Sequence, residues 1–372
     1  MDYDFLVIGA GISGAAAAYE LALCGRVLMV EAEATPGYHS TGRSAALYTR
    51  NYGVPVVRAI NAASHAFFIA PPDGFAEHPL LTPRGALTLG RPGAEKLLDP
   101  ILALSGPGNE IVPVTTAEVM AMVPLLRPEM VSGGVYEPGV MDMDVAAIHQ
   151  GFLRGARRRG AELRCDAPVT GLQRRGAGWS VAAGPEIFTA GVVVNAAGAW
   201  ADQVGQLAGA RPIGLVPKRR TAILVDPPAG SGIDGMPTVE FAGDEAYFKP
   251  DAGKIMASPG DQTPTTPQDA RPEEWDMAVL VDWLQRHTTL RIGRVGHAWA
   301  GLRSFVADEA PVVGFDDQVD GFFWLAGQGG FGIMMAPALG RAAAGLISGA
   351  GLPADLGLTA AAIGPARLRR QT

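Results

Sequence analysis

Residues 2–33, DYDFLVIGAGISGAAAAYELALCGRVLMVEAE, decide the fold. Phe5 to Ile8 is an apolar run of strand length, and Gly9, Gly11 and Gly14 follow it directly in the spacing G-x-G-x-x-G. Ser13 to Leu23 is rich in alanine and reads as a helix. Val27 to Val30 reads as a second strand with Glu31 at its end. Strand, glycines, helix, strand and acid in that order predict a βαβ unit with a phosphate-binding turn. Gly9 permits the tight turn, Gly11 lets backbone amides approach a pyrophosphate, and Gly14 lets the helix pack close to the strand. The helix N-terminus then presents unpaired N–H groups and the positive end of its dipole. Glu31 stands where a ribose diol donates its hydrogen bonds. In a chain with 49 glycines the triplet alone would say little; its context carries the dinucleotide reading. The motif does not separate NAD from FAD.

Outward from this unit, Thr35 to Ser44 (TPGYHSTGRS) is a polar loop too long for an ordinary turn, with hydroxyls, amides and Arg43 suited to line a cofactor. The βαβ rhythm lapses over 46–140, where a helix at Ala59–Phe68 and short strands at Ala86–Leu89 and Gly134–Tyr136 are punctuated by proline and glycine. It resumes over 141–210, with a helix at Asp144–Arg159 and strands near Glu162–Cys165, Val169–Gln173, Trp179–Ala182 and Val192–Asn195. A second mixed region covers 211–296, with a strand at Thr221–Val225 and a helix at Glu273–His287. From His297 the chain is expected to return to the first domain. There Gly321–Ala326 reads as a strand, Gly327–Gly332 as a glycine loop and Ile333–Ser348 as a helix. Gly327, Gly329 and Gly332 repeat the G-x-G-x-x-G spacing, but no strand ending in a ribose-binding acid follows. This loop therefore reads as a helix N-terminus able to stabilise negative charge on a cofactor ring.

With 372 residues, 48% of them apolar and 18% charged, the chain exceeds one hydrophobic core, and about two domains are expected. A net charge of −7 argues against nucleic acid as a partner. The two cysteines, Cys24 and Cys165, form no C-x-x-C and read as core thiols in a reducing compartment. The six histidines include no ligand-spaced pair, so no metal is expected. The N-terminus lacks a basic n-region, and no uncharged apolar run reaches about 18 residues. The expected setting is cytoplasmic, with no transmembrane segment and with peripheral docking at the inner face of the membrane left open.

The segments GYHSTGRSAA, VNAAGAWAD, PKRR, YFKPDAG, AGLRSF and QGGFGI, in this order, resemble the FAD-dependent D-amino-acid oxidase and glycine oxidase superfamily. Within it they are most similar to the bacterial D-arginine dehydrogenases. The resemblance covers almost the whole chain. It implies an α/β fold in which a Rossmann-like FAD-binding domain (1–45, 141–210 and 297–372) is interleaved with an α+β substrate domain (46–140 and 211–296). The latter is built on a mixed, largely antiparallel sheet. Gly9, Gly11, Gly14 and Glu31 would hold the ADP half of FAD, with Val169 offering its backbone to the adenine. Ser40, Thr41, Arg43, Ser44 and Ala45 would run past the ribityl chain and flavin, with Ala197 and Gly198 also on the cofactor. Gly329, Gly330, Phe331, Gly332 and Ile333 would bring the last helix to the flavin pyrimidine edge. No cysteine falls near these segments, so non-covalent FAD is implied.

On the same resemblance Arg220 and Arg303 would bind the substrate carboxylate. This suits a planar guanidinium that stays charged and pairs bidentately. From the sequence alone, Lys218-Arg219-Arg220 reads equally as a solvated basic run. Tyr247 would add a phenol to the carboxylate site, Tyr52 would ride on a mobile loop closing the pocket, and the Gly330 carbonyl would accept from the substrate amine. Leu47, Thr49, Ala86, Thr238 and Glu240 would line the side-chain pocket. Three positions depart from the D-arginine dehydrogenase pattern: Ala86 replaces a guanidinium-binding glutamate, Leu47 a loop histidine, and Glu240 an apolar residue. Arg50 and Asn51 also replace small apolar lid residues. Glu240 either supplies the missing carboxylate from another wall or points to solvent.

The implied reaction is oxidative deamination of a D-amino acid by hydride transfer from Cα to flavin, with oxygen or a quinone-type carrier as final electron acceptor. A glycine, sarcosine or proline oxidase-like amine oxidase is the alternative enzyme. A non-catalytic flavoprotein sensor is the alternative from another class.

Overall fold

Leu6, Val7 and Ile8 are buried, and the strand they end, Tyr3–Ile8, has parallel neighbours on both sides. A strand enclosed on both faces reads as an uninterrupted apolar run, as Phe5–Ile8 and Val192–Val194 do. The computed structural model describes residues 1–371 and arranges them around sheets of eight, nine and three strands. In the first sheet the order is Val169–Arg175, Gly178–Ala183, Glu186–Asn195, Tyr3–Ile8, Val27–Val30, Glu162–Arg164. Phe322–Ala326 joins parallel to the end of Glu186–Asn195, and Val312–Phe315 pairs with it in turn, antiparallel. The register sets Ile8 beside Val30 and Asn195, and Asn195 beside Trp324. Five parallel strands, Glu162–Arg164 included, thus end on one side of the sheet, where open α/β folds bind their ligands.

Helices Ile12–Leu21, Val145–Arg158 and Gly332–Ser348 cover one face of this sheet. Small residues let them close in. A Cβ added at Gly340 would stand 2.7 Å from the Ala16 carbonyl oxygen, and one at Gly155 would stand 2.4 Å from the Tyr19 ring. The opposite face buries Trp179, Phe188, Val204 and Trp324.

The second sheet is mixed and largely antiparallel. Thr238–Phe241 runs parallel to Ala86–Leu89, and the other paired strands run antiparallel. Its apolar face packs on helices Thr116–Met122 and Glu274–His287 through Val119, Leu280, Trp283 and Leu284. Leu47–Tyr48, Met141–Met143 and Leu81–Pro83 form the three-stranded sheet.

Three expectations need correction. His297–Phe305 does not return to the first domain. It pairs with Val216–Leu224 over nine consecutive positions in the second sheet, and the return follows it. The alternation Ala298, Ala300, Leu302 fits a half-buried antiparallel strand equally well, and only pairing reveals which sheet takes it. Met141–Met143, expected with the first domain, pairs instead with strands of the 46–140 region. Cys24 is not a core thiol. The first helix stops at Leu21, and Cys24 is exposed in the following turn, while Cys165 is half-buried.

Candidate active site

Three clefts run end to end along the C-terminal side of the first sheet and under the second. Ile8, Gly9, Gly11, Glu31, Val169, Ala197 and Gly198 line the first. Gly11, Ser40, Thr41 and Gly198 also face the middle cleft, together with Arg43, Ser44, Ala45, Gly329, Gly330, Gly332 and Ile333. Ser44, Ala45, Arg220, Tyr247, Arg303, Gly330 and Ile333 form the wall between the middle cleft and the third. The third is a cavity of about 360 Å³ reached also by Leu47, Thr49, Tyr52, Ala86, Thr238 and Glu240.

The first cleft is shaped by backbone. Gly9 has φ +97°, and a Cβ there would lie 2.5 Å from the Ala196 carbonyl oxygen. At Gly11 a Cβ would meet only the Thr41 hydroxyl, at 3.3 Å, so this side of the turn is open to a ligand. Gly14 lines no cleft; a Cβ there would be 1.9 Å from the Gly9 carbonyl oxygen, which makes it the close-packing glycine. Thr41 Oγ1 accepts from the Ile12 amide at 3.0 Å and supports the start of the helix. Glu31 accepts from the amides of Ala10 (2.8 Å) and Glu33 (3.1 Å), bracing the turn; a carboxylate retains capacity for a ribose hydroxyl. From behind, buried His149 donates Nε2–H to the Ala10 carbonyl at 2.8 Å. Burial holds its pKa below the usual imidazole value, which suits a neutral ring.

The 35–44 loop is stapled to the second sheet. Ser40 Oγ donates to the Leu302 carbonyl (2.7 Å), and Trp299 Nε1 donates to that of Arg43 (3.0 Å). The Arg43 guanidinium bonds the carbonyls of Ala270 (2.8 Å) and Ala300 (3.1 Å) and pairs with Asp269. Arg43 borders the cleft, but its charge is committed to a cross-link and not to a cofactor. Phe331 lines none of the three clefts; its ring packs against those of Tyr52 and Phe305.

Alternation resolves the basic run. Lys218, Arg219 and Arg220 lie inside the strand Val216–Val225, so Arg219 faces away from its neighbours. Arg219 is buried with Glu273, Asp276 and Asp261. Arg220 lies opposite Gly301, and Arg303 is two residues further along the same face. Arg220 Nε donates to the Asp261 carbonyl at 2.8 Å, which leaves the rest of its fork for the cavity. Burial, then the Arg303 charge, push the Arg220 pKa down from its ordinary value. Among the described residues, Arg303 makes no hydrogen bond or ion pair. Gly330 is pressed against it, since a Cβ would fall 2.8 Å from Arg303 Nη1. Two adjacent guanidiniums, neither of them in an ion pair among the described residues, make a site for an anion such as a carboxylate.

Tyr52, exposed and edge-on to Phe331, lines the cavity. Its loop is latched. Arg50 donates to the Gly108 carbonyl (2.9 Å) and to His65 Nδ1 (3.2 Å), and Asn51 and Asn109 exchange amide hydrogen bonds (3.1 and 2.7 Å). The substitutions at Arg50 and Asn51 thus staple the lid to the 104–109 loop.

Glu240 faces the cavity, with Thr88 Oγ1 donating to its Oε1 at 2.9 Å. Glu240 is accessible on a strand whose other residues are buried. Partial desolvation by the surrounding protein, with Glu137 and Glu245 nearby, raises its pKa from the ordinary carboxylate value. Sequence reasoning missed Glu137, Thr88 and Glu245, which line the cavity or bond to its walls. It also missed His39, Trp200 and Gln328 in the other clefts. Only strand register could have exposed Glu137, which lies directly opposite Ala86.

The profile of the DAO family, described as FAD dependent oxidoreductase, matches residues 4–346. The chain belongs to this family. Glycine oxidase of Geobacillus kaustophilus (strain HTA426) is 23% identical over 354 residues, covering 93% of each chain, and its structure superposes with TM-score 0.79. L-Proline dehydrogenase from P. horikoshii gives a TM-score of 0.84 at 23% identity, over 99% of this chain and 98% of that one. Mitochondrial dimethylglycine dehydrogenase of Homo sapiens is 39% identical over 93 residues, a quarter of this chain (25%). The chain spans only 11% of that protein's length and 27% of mitochondrial sarcosine dehydrogenase from Homo sapiens.

The cofactor of this family, FAD, fits the clefts. The glycine turn leaves room for a pyrophosphate. Two buried polar atoms at the clefts, His39 Nδ1 and Gln328 Nε2, have no hydrogen-bond partner among the described residues, as expected of groups facing a polar ligand. No helix of the described residues is long and apolar enough to cross a membrane, and no cluster of residues suited to a metal ion occurs among them.

Proposed function

We propose that the chain is a D-amino-acid dehydrogenase or oxidase that converts its substrate, through an imino acid, to a 2-oxo acid and ammonia. The observation that carries this is the paired Arg220 and Arg303 on the wall shared by the flavin cleft and the substrate cavity. A carboxylate docked there, with a hydrogen bond from Tyr247, sets the adjacent Cα at the boundary of the two clefts. Residues that orient a substrate this way contribute by lowering the entropic barrier to reaction. FAD, when bound, would supply the acceptor for the hydride, which carries both electrons of the oxidation. The Gly330 carbonyl accepts from the amine and aligns its lone pair with the Cα–H bond. No carboxylate, imidazole or lysine lines the middle cleft among the described residues, so the amine arrives neutral or sheds its proton to water. Tyr52 and its latched loop exclude water from the imino acid until release. Oxygen or a quinone-type carrier is the proposed final acceptor.

Glycine oxidase covers most of the chain, which supports glycine, sarcosine or proline as a second reading. The cavity of about 360 Å³ beyond the arginines favours an amino acid with a sizeable side chain. Mixing the holoenzyme anaerobically with D-amino acids, L-proline, glycine and sarcosine discriminates between them. Loss of flavin absorbance with D-amino acids is expected. Reduction by L-proline, glycine or sarcosine in their place would overturn the proposal.

A further inference from the structure

The cavity has two ends of opposite charge. Arg220 and Arg303 stand at the cofactor side, and Glu137, Glu240 and Glu245 stand beyond them. The acidic end is assembled by strand register. Ala86 lies between Glu137 on one neighbouring strand and Thr238 on the other, and Thr88 lies beside Glu240. Directly opposed residues project from the same face of a sheet with Cβ atoms about 5 Å apart. Glu137 therefore stands immediately across the ladder from Ala86, and Glu240 stands beside Thr88 on the same face.

These acids lack cationic partners. Asn51 donates to Glu137 and Thr88 to Glu240; among the described residues neither carboxylate forms an ion pair. Nearby Asp244, by contrast, is engaged by Arg91 and by Trp283 Nε1 at 2.6 Å. An independent observation also points to a ligand here. Thr238 is only 5% exposed and lines the cavity, yet its hydroxyl has no hydrogen-bond partner among the described residues. A buried hydroxyl without a partner, beside two carboxylates that form no ion pair, matches a group that carries several N–H donors and a positive charge.

We propose that Glu137 and Glu240, with Thr238 beside them, bind the cationic end of the substrate side chain, an ammonium or guanidinium. Glu245 adds negative charge at the mouth of this site. The preferred substrate is then a D-amino acid whose carboxylate pairs with the arginines at one end and whose second cation pairs with the glutamates at the other. A neutral side chain would leave both carboxyl groups without a counter-charge. This inference rests on the deamination reading above.

The test is the reductive half-reaction of the holoenzyme, followed anaerobically by flavin absorbance with D-alanine, D-leucine, D-lysine, D-arginine and sarcosine. At limiting substrate, D-lysine or D-arginine should react about 10- to 100-fold more efficiently than D-leucine, the span of one charge-assisted hydrogen bond. Glu137→Gln and Glu240→Gln should each reduce the ratio of D-lysine to D-leucine efficiency by about tenfold or more. D-Leucine matching D-lysine in the unmodified enzyme would overturn the cation site while deamination stands; this result does not depend on any variant folding. A ratio that survives in both variants would overturn it as well. Reduction by sarcosine alone would overturn the deamination reading and the cation site together.

Discussion

The two ends of the molecule's trough are built in opposite ways. The cofactor end is centred on the first glycine turn, whose glycines bring backbone to the ligand, backed by His149 and Thr41. The substrate end is formed largely by side chains from eight separate segments, several of which strand pairing brings together. A backbone site tolerates little change at its glycines. A side-chain site gathers its groups from neighbouring strands, as the directly opposed Ala86 and Glu137 illustrate.

The largest expected effect falls on the substrate end. Removing one charge from the arginine pair costs about 2–5 kcal/mol of binding. Arg303→Met should therefore raise the KM for a D-amino acid by about 30-fold to several thousandfold, with FAD still bound after gel filtration. Unchanged KM would break the assignment of the anion site. At the cofactor end, Gly9→Ala forces a side chain into a turn with φ +97° and a Cβ 2.5 Å from the Ala196 carbonyl oxygen. Strain of about 1–3 kcal/mol is expected. It should weaken FAD binding by about 5- to 150-fold in equilibrium titration and lower the melting temperature, while leaving the KM of FAD-saturated enzyme close to its original value. An equal shift in KM would blur the division between the two ends.

This division also explains what was legible in the sequence. The βαβ unit, its glycines and Glu31 could be read because their geometry is local, and the last helix could be read with them. Arg220 and Arg303 stood out only by resemblance, since a basic run gives no sign of which member turns inward; alternation within Val216–Val225 decides that. Glu137 was invisible because its partner position, Ala86, is 51 residues away and pairing alone relates them. Arg43 was read as a cofactor contact and lines the middle cleft, but its cross-link was hidden for a related reason. Its partners Asp269, Ala270 and Ala300 lie more than 220 residues further on.

A smaller effect follows from pH. Burial raises the pKa values of Glu137 and Glu240, so both hold protons above the usual carboxylate range. The groups facing them are Thr88, Asn51, Glu245, Tyr247 and, across the cavity, Arg220 and Arg303. A cationic side chain binds the ionised form. The ratio of D-lysine to D-leucine efficiency should rise with pH through that raised range, by up to about tenfold per unit below the pKa, and then level off. Using the ratio cancels the titration of the α-amine. Stability runs the other way. A native state that holds a proton the unfolded chain has released loses stability as pH climbs from the ordinary carboxylate range through the raised values. Glu240→Gln should flatten both profiles, and a ratio independent of pH would remove these carboxyls from substrate binding.

The smallest effect is expected at the lid, where it separates two roles of one side chain. Asn51 exchanges amide hydrogen bonds with Asn109 and also donates to Glu137. Hydrogen bonds of this kind contribute about 0.5–1.5 kcal/mol each. Asn109→Ala removes the amide exchange with Asn51 and a bond to the Leu104 carbonyl but leaves Glu137 its donor, so it should raise KM about two- to tenfold alike for D-lysine and D-leucine and speed amide hydrogen exchange over residues 49–53. Asn51→Ala removes the latch and also the donor on Glu137. If Asn51 serves only the latch, the two variants will match. If it also tunes the acidic end, Asn51→Ala will change the D-lysine to D-leucine ratio and Asn109→Ala will not. A change in that ratio with Asn109→Ala would mean that the lid itself, and not the acidic wall behind it, reads the side-chain charge.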